Sequence, residues 1–212
     1  MARTIGSNGS KTAAAIHQAG IALIYQHGYE AMSLRALAAE VGMQPGSLYK
    51  YFESKEALLY QIMTAHMDAL LAEVETALAG VERPIDRLRV FSIFHLQYHR
   101  ARHKELHIAN AELRCLGPGP RARIVDLRRR YERVLQDILS AGVAEGTIRA
   151  KDVRIATFAI IAMLTGIGAW FRPGGRLPME EIVDIHLELL MGGMLGLQAA
   201  EAPADRLREA VA

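Results

Sequence analysis

Residues 33–59 read SLRALAAEVGMQPGSLYKYFESKEALL, and the helix signals in this stretch decide the fold. Ser33 is an N-cap residue ahead of a helix over Leu34 to Val41, whose apolar positions Leu34, Leu37, Ala38 and Val41 share one face. Gly42 then supplies the left-handed residue of a tight turn, and a third helix runs from about Gln44 to Tyr51. Two short helices around a glycine turn form a helix-turn-helix pattern, in which the second helix lies in the major groove of DNA. The same geometry also arises as plain packing of two helices. Leu37, Val41, Leu48 and Phe52 are spaced to form the small core of such a unit.

Upstream, Ser10 to His27 carries Ile16, Gly20, Leu23 and Ile24 at helical spacing, and Gly28 is a natural stop. Downstream, Ser54 caps a long fourth helix that keeps its apolar period from Leu58 to Leu78 and ends at Gly80. Pro84 opens a segment with no Gly or Pro as far as Leu116, so local signals draw one unbroken helix there. Gly117-Pro118-Gly119-Pro120 ends it, and Pro120 opens a helix through Ile124, Leu127, Tyr131, Val134, Leu135 and Ile138 that stops near Gly142 to Gly146. Asp152 caps a helix reaching Phe171, whose 17 uncharged residues from Ile155 touch the lower edge of a membrane span. Thr157, Thr165, Gly166 and Gly168 within it favour a buried helix. A last helix runs from about Pro178 to Gln198.

Almost nothing alternates with a period of two, so the expected fold is all-α with about nine helices. It divides into a three-helix helix-turn-helix domain at 1–55, a larger ligand-binding and dimerisation domain at 56–200, and a tail at 201–212. The 212 residues are 51% hydrophobic and 23% charged, an ordinary globular composition that excludes wholesale disorder and a disulfide scaffold. Cys115 is the single cysteine, and the polar start from Met1 to Ser10 lacks the apolar core of a signal peptide, so a cytoplasmic protein with no membrane partner is expected.

The wording of 33–59 resembles the signature of TetR/AcrR-type transcriptional regulators, over that family's second and third helices and the start of the fourth. The resemblance implies a dimer that binds double-stranded operator DNA and is released by a small-molecule effector. Residue chemistry assigns the parts. Ser33, and Ser54 with Lys55, sit at helix starts where hydroxyl and backbone N–H groups hold phosphate. Gln44 and Lys50 suit base edges, Ser47 and Tyr49 suit phosphate or a thymine methyl, and Gly46 lets backbone approach DNA. Many members of that family carry a basic or small residue where this chain has Pro45, a departure for which Arg35 is placed to compensate. Taken singly, Tyr49 and Tyr51 also fit packing under the fourth helix and Lys50 and Lys55 a solvated surface, but together they favour the DNA reading.

The net charge of +2 is unevenly spread. Residues 1–60 hold five basic and four acidic side chains, a net of +1, so two copies and an Arg3/Lys11 arm must supplement the DNA contact. Between Arg83 and Arg133, thirteen basic side chains oppose five acidic, a net of +8. That pattern fits either a solvated helical surface or a site for a polyanionic small molecule. The segments Glu112 to Tyr131 and Ala169 to Gly175 are similar to the effector domain of regulators of fatty-acid and steroid catabolism, which implies acyl-CoA thioesters as effectors. The candidate ligand contacts are Phe91, His95, His99, Arg114, Arg121, Arg128, Tyr131, Met163 and Trp170.

His95, His99, His103 and His107 recur every four residues and on one continuous helix would place neighbouring pairs on one face as metal chelators. A small helical enzyme or metal-binding protein built on that stripe, with Glu105 or Glu112, is the alternative. The resemblance implies a turn near His103 that splits it. No catalytic motif, metal set or cofactor is expected. The helices at about 152–171 and 178–198 would pair with their copies as a four-helix dimer interface, Gly166, Gly168, Gly192, Gly193 and Gly196 permitting close approach.

Overall fold

The hydroxyl of Ser33 accepts a hydrogen bond from Ala36 N–H at 3.1 Å, and helix α2 (Leu34–Glu40) starts from it. The same device recurs where Ser54 Oγ accepts from Ala57 N–H at 3.0 Å and Asp152 Oδ1 accepts from Ile155 N–H at 2.9 Å. Each cap satisfies a donor that the first helical turn leaves orphaned, worth about 1 kcal/mol. The computed structural model describes residues 9–172 and 174–195. The expectations that fall on Arg3, Pro173, Gly196, the end of the last helix at Gln198 and the tail lie outside the described residues.

Among the described residues the chain forms nine α-helices and no strand. Beside α2 these are α1 (Gly9–His27), α3 (Pro45–Leu48), α4 (Lys55–Leu78), α5 (Pro84–Ala101), α6 (His103–Ala111), α7 (Pro118–Ala144), α8 (Val153–Trp170) and α9 (Met179–Leu195), with a 3₁₀ turn at Leu113–Cys115. Gly42 has φ of +66°, the conformation expected of the α2–α3 turn.

Four expectations are corrected. The third helix is a single α-turn, Pro45–Leu48, and not Gln44 to Tyr51. After Leu48 the chain tightens into three-residue turns, Tyr51 N–H donating to Leu48 C=O at 2.9 Å, which brings Phe52 round into the core. The segment from Pro84 to Leu116 is not one helix but breaks at Arg102, whose guanidinium lies 2.7 Å from Glu73 Oε1 and stacks 4.1 Å over the Tyr98 ring. Those tertiary ties outweigh a local preference that no Gly or Pro opposes. Helix α7 begins at Pro118 rather than Pro120, since the first turn needs no N–H from either proline. Finally, α8 is not a buried helix: Thr157, Ile160, Leu164 and Ile167 form its one buried stripe, and the remainder is half-buried or exposed.

By packing, the chain forms two compact units. Among the described residues, one holds 9–76 together with Gln97–Tyr131. Its core includes Ile16, Ile24, Leu37, Leu48, Leu58, Ile62, Ile108 and Leu127. Helices α1 and α4 approach closely at Gly20, where an added Cβ would sit 3.3 Å from Leu58 Cδ2. The other unit holds Ala77–Leu96 with the described residues of 132–195, with Leu88, Phe91, Leu135, Leu139, Ile160 and Leu164 at its centre. There Gly142 is required by contact, because a Cβ would run into the buried Ile148 side chain.

Candidate DNA-reading and effector sites

The helix-turn-helix core is built as its spacing requires. Leu37 and Leu48 are wholly buried and Phe52 nearly so, while Val41, expected with them, is half-buried at the end of α2. Burial of one such side chain contributes roughly 1.5–3 kcal/mol, enough to hold two short helices that could not stand alone.

Around that core Ser33, Arg35, Gln44, Pro45, Gly46, Tyr49 and Lys50 are exposed, Tyr49 to 57%. Pro45 occupies the first position of α3, and Gln44, the residue before it, makes no side-chain cap hydrogen bond, so its amide is not committed to the helix. An added Cβ on Gly46 would meet only open space. The other three candidates are partly engaged within the chain. Ser47 is half-buried; Tyr51, also half-buried, lines a groove of about 370 Å³ with His17, Phe52 and Gln61. Lys55 Nζ donates to Glu30 C=O at 3.0 Å and sits 4.5 Å over the Tyr29 ring.

The nine ligand candidates are divided between the two units. In the first, His99 is buried with its ring 5.9 Å from that of His66 and 5.5 Å from that of Tyr98. Tyr98 OH donates to His66 C=O at 3.0 Å. Burial, helped by the charges of Arg102 and Arg128, lowers the His66 pKa to about 4, and burial raises that of Tyr98 to about 12 and that of Tyr131 well above its usual range. These rings are neutral polar groups inside a core. Arg128 donates to Ala109 C=O and to Asn110 Oδ1, closing the carbonyl end of α6. Arg114 and Arg121 are exposed, on the 3₁₀ turn and the first turn of α7.

In the second unit Phe91 is wholly buried, its ring 6.0 Å from that of His95. His95 Nε2 lies 3.0 Å from Thr165 Oγ1, and burial alone lowers its pKa to about 3. Met163 is half-buried. Trp170 is 54% exposed and stacks on His186 at 6.2 Å, at one side of an open, mainly apolar groove of about 420 Å³ that also takes in Arg172 and Arg176. His66, Thr165, His186 and Arg176 are polar groups of these sites that spacing did not single out. His66 and Thr165 lie inside apolar stretches of long helices and carry no motif.

The four-residue histidine recurrence does not form one stripe. His95 and His99 are buried on α5, whereas His103 and His107 are exposed on α6 with their rings 5.6 and 5.3 Å from that of Tyr25. The break at Arg102 accounts for the split, as the turn implied near His103 requires.

Helix α8 has the length and hydropathy of a membrane span, which in a single helix is weak evidence. Opposite its buried stripe run Ile155, Phe158, Ala162, Gly166 and Ala169, all exposed, with no charge between Ile155 and Phe171. On α9, Ile185 and Leu189 are exposed as well, Leu189 to 62%.

Residues 81–194 match the family model described as "Tetracyclin repressor-like, C-terminal domain", and residues 16–62 match "Bacterial regulatory proteins, tetR family". The chain belongs to the TetR family. It is accordingly a helix-turn-helix transcriptional regulator, and both family models fall on the elements described above. Among its relatives, the HTH-type transcriptional repressor KstR2 of Mycolicibacterium smegmatis is 27% identical over 180 residues, covering 84% of this chain and 87% of that one. A solved structure of the TetR-family regulator PfmR from Thermus thermophilus superposes with a TM-score of 0.76 at 33% identity, over 83% of this chain and 96% of that one. The structure of AibR in complex with isovaleryl coenzyme A and operator DNA superposes with a TM-score of 0.79 at 30% identity, over 85% and 98%.

Proposed function

We propose that the chain is a cytoplasmic, homodimeric repressor that binds operator DNA through residues 1–55 and is released by an acyl-CoA thioester bound within residues 56–200. The observation that carries the DNA part is the exposed set Arg35, Gln44, Tyr49 and Lys50 mounted on a core of Leu37, Leu48 and Phe52. Gln44 and Lys50 contact base edges, and Tyr49 and the capped start of α2 at Ser33 contact phosphate. The effector class comes from AibR, whose complex joins a CoA thioester and operator DNA on the same fold. The chemistry of this chain supports it: a CoA thioester needs an apolar cavity for its acyl part and cations for its phosphates. Met163 and Trp170 offer the apolar surface, and Arg172 and Arg176, which share the groove beside Trp170, offer the cations. The uncharged outward stripe of α8 with Ile185 and Leu189 of α9 is the dimer face, which cancels an exposed apolar patch and sets two reading heads in a fixed spacing. In this reading thioester binding weakens operator affinity by tenfold to a hundredfold, a coupling of about 1.4–3 kcal/mol.

The test is operator binding by DNA upstream of the protein's own gene. Tyr49→Ala with Lys50→Ala abolishes specific binding and leaves a folded dimer; retained affinity removes the DNA assignment. Isovaleryl-CoA and longer thioesters at micromolar concentration raise the melting temperature and release the DNA. A panel of chain lengths with no effect on either removes the effector assignment.

A further inference from the structure

Two carboxylates fasten the turn between α6 and α7 to the DNA reader. Glu112, directly after α6, accepts through Oε1 from Tyr29 N–H at 3.1 Å, 83 residues away in sequence. Glu56, in the first turn of α4, accepts through Oε1 from Gly117 N–H at 2.7 Å, 61 residues away. The two bonds run in opposite senses. One carboxylate belongs to the turn and holds the α1–α2 connection; the other stands in the first turn of α4, directly after the reader, and holds the start of α7.

The backbone around both is shaped for them. Gly28, at φ of +79°, brings Tyr29 N–H round to Glu112, and a Cβ on it would stand 3.6 Å from Glu112 Oε1. A Cβ on Gly117 would stand only 3.1 Å from Glu56 Oε1, closer than ordinary contact. On the reader side Lys55, bonded to Glu30 C=O and lying over the Tyr29 ring, stiffens the strip that Glu112 grips. Hydrogen bonds from backbone N–H to carboxylate are directional and charge-assisted, and they weaken steeply once the heavy atoms separate beyond about 3.5 Å. A displacement of the turn by an ångström therefore exchanges both for water, where an apolar contact would slide.

We propose that Glu112 and Glu56 are the positioning residues through which a shift of residues 112–117 reaches the DNA reader. This rests on the reading that effector binding beyond residue 56 releases DNA. Intact, the pair holds the starts of α2 and α4, which carry Ser33 and Ser54, in the spacing that DNA requires. A turn displaced by bound effector releases both at once.

The experiment uses the full-length dimer with Glu112→Ala and Glu56→Ala, each beside its Gln counterpart, which keeps an acceptor oxygen at the same place. Amide exchange at Tyr29 and Gly117 reports the two bonds. Affinity for the DNA upstream of the gene is measured with and without isovaleryl-CoA and longer thioesters, and thioester affinity is measured separately. Expected is at least tenfold faster exchange in the alanine variants and at least a fivefold fall in the ratio of DNA affinities without and with thioester. Thioester affinity and dimerisation stay within twofold, and Gln restores most of the ratio. A wild-type ratio in both alanine variants overturns the proposal. If the wild-type protein responds to no thioester, the effector reading fails by itself and the pair is judged on DNA affinity alone. In that case fivefold weaker binding restored by Gln upholds it, and unchanged binding overturns it. Should an alanine variant fail to fold, Gly117→Ala, which crowds the Glu56 carboxylate without deleting it, is read in the same way.

Discussion

In the reader, Leu37 and Leu48 are wholly buried while Arg35, Gln44, Tyr49 and Lys50 face solvent; beyond residue 56 an apolar core of the same kind is joined by buried polar rings and by exposed apolar side chains. There His66, His95, Tyr98, His99 and Tyr131 are buried, and Ile155, Phe158, Trp170 and Leu189 are exposed. A surface that meets DNA needs polar groups outside an ordinary core. A region that both takes a ligand and joins a second copy needs, beside its apolar core, some polar groups within and some apolar groups outside. In the proposed function that difference marks the division of labour, and it can be tested from either side.

The largest effect is expected at the exposed apolar face. Phe158→Asp with Leu189→Asp puts two charges on exposed positions of α8 and α9, outside the buried stripe of α8, so the monomer fold survives while the dimer dissociates. Specific operator affinity then falls on the order of a thousandfold, toward single-head binding. Sedimentation velocity and DNA titration read the two consequences, and a persisting dimer would place the interface elsewhere.

Next in size is a contrast of two aliphatic-to-alanine truncations, one buried and one exposed. Leu37→Ala empties a fully buried site in the reader and costs about 2–5 kcal/mol in urea unfolding. Ile155→Ala, at a residue 64% exposed, changes the stability of a dissociated chain by no more than about 0.5 kcal/mol. Equal costs at the two positions would erase the comparison.

The buried rings predict a pH dependence that is strongest beyond residue 56, since in the reader only His17 has its pKa lowered by burial. His66 and His95 have pKa values lowered from 6.5 to about 4 and about 3, so the unfolded chain binds protons that the folded chain refuses. Stability is therefore highest above pH 6.5 and falls as pH drops toward those values. The loss between pH 7 and pH 5 is about 2 kcal/mol for each ring. His66→Gln flattens that part of the curve. His66 Nδ1 has no hydrogen-bond partner among the described residues, so the ring is held neutral by burial and not by a tie that Gln would break there.

What was legible follows the range of the interactions. Helix α2 was visible because the Ser33 cap acts over three residues, and so were the Gly42 turn and the Asp152 start of α8. The end of α3 was not, because Phe52 leaves the helix to reach a core made by other segments. The break at Arg102 depends on Glu73, 29 residues away, and the bond from Tyr29 to Glu112 spans 83. For the candidate sites the same holds: the exposed polar set of the reader lies within the motif, whereas the inward engagement of Lys55 with Glu30 and the stacking of Trp170 on His186 join separate elements. On α8 the uniform apolarity made core and outward stripe indistinguishable until packing showed which residues were covered.

The smallest expected change separates two roles of one hydroxyl. Ser33→Ala removes the acceptor for Ala36 N–H and lowers stability by about 1 kcal/mol, since the first turn of α2 loses its cap. That loss alone does not say whether the hydroxyl also faces a phosphate. Ser33→Asp does, because aspartate caps as well as serine and favours a helix N-terminus, yet it repels a phosphate placed there. If the start of α2 holds the DNA backbone, Ser33→Asp matches the wild type in thermal unfolding and binds operator at least tenfold more weakly, with the gap narrowing as salt rises. If Ser33 only caps, stability and DNA affinity both stay at wild-type values, and the polar rim of the reader begins at Arg35 instead.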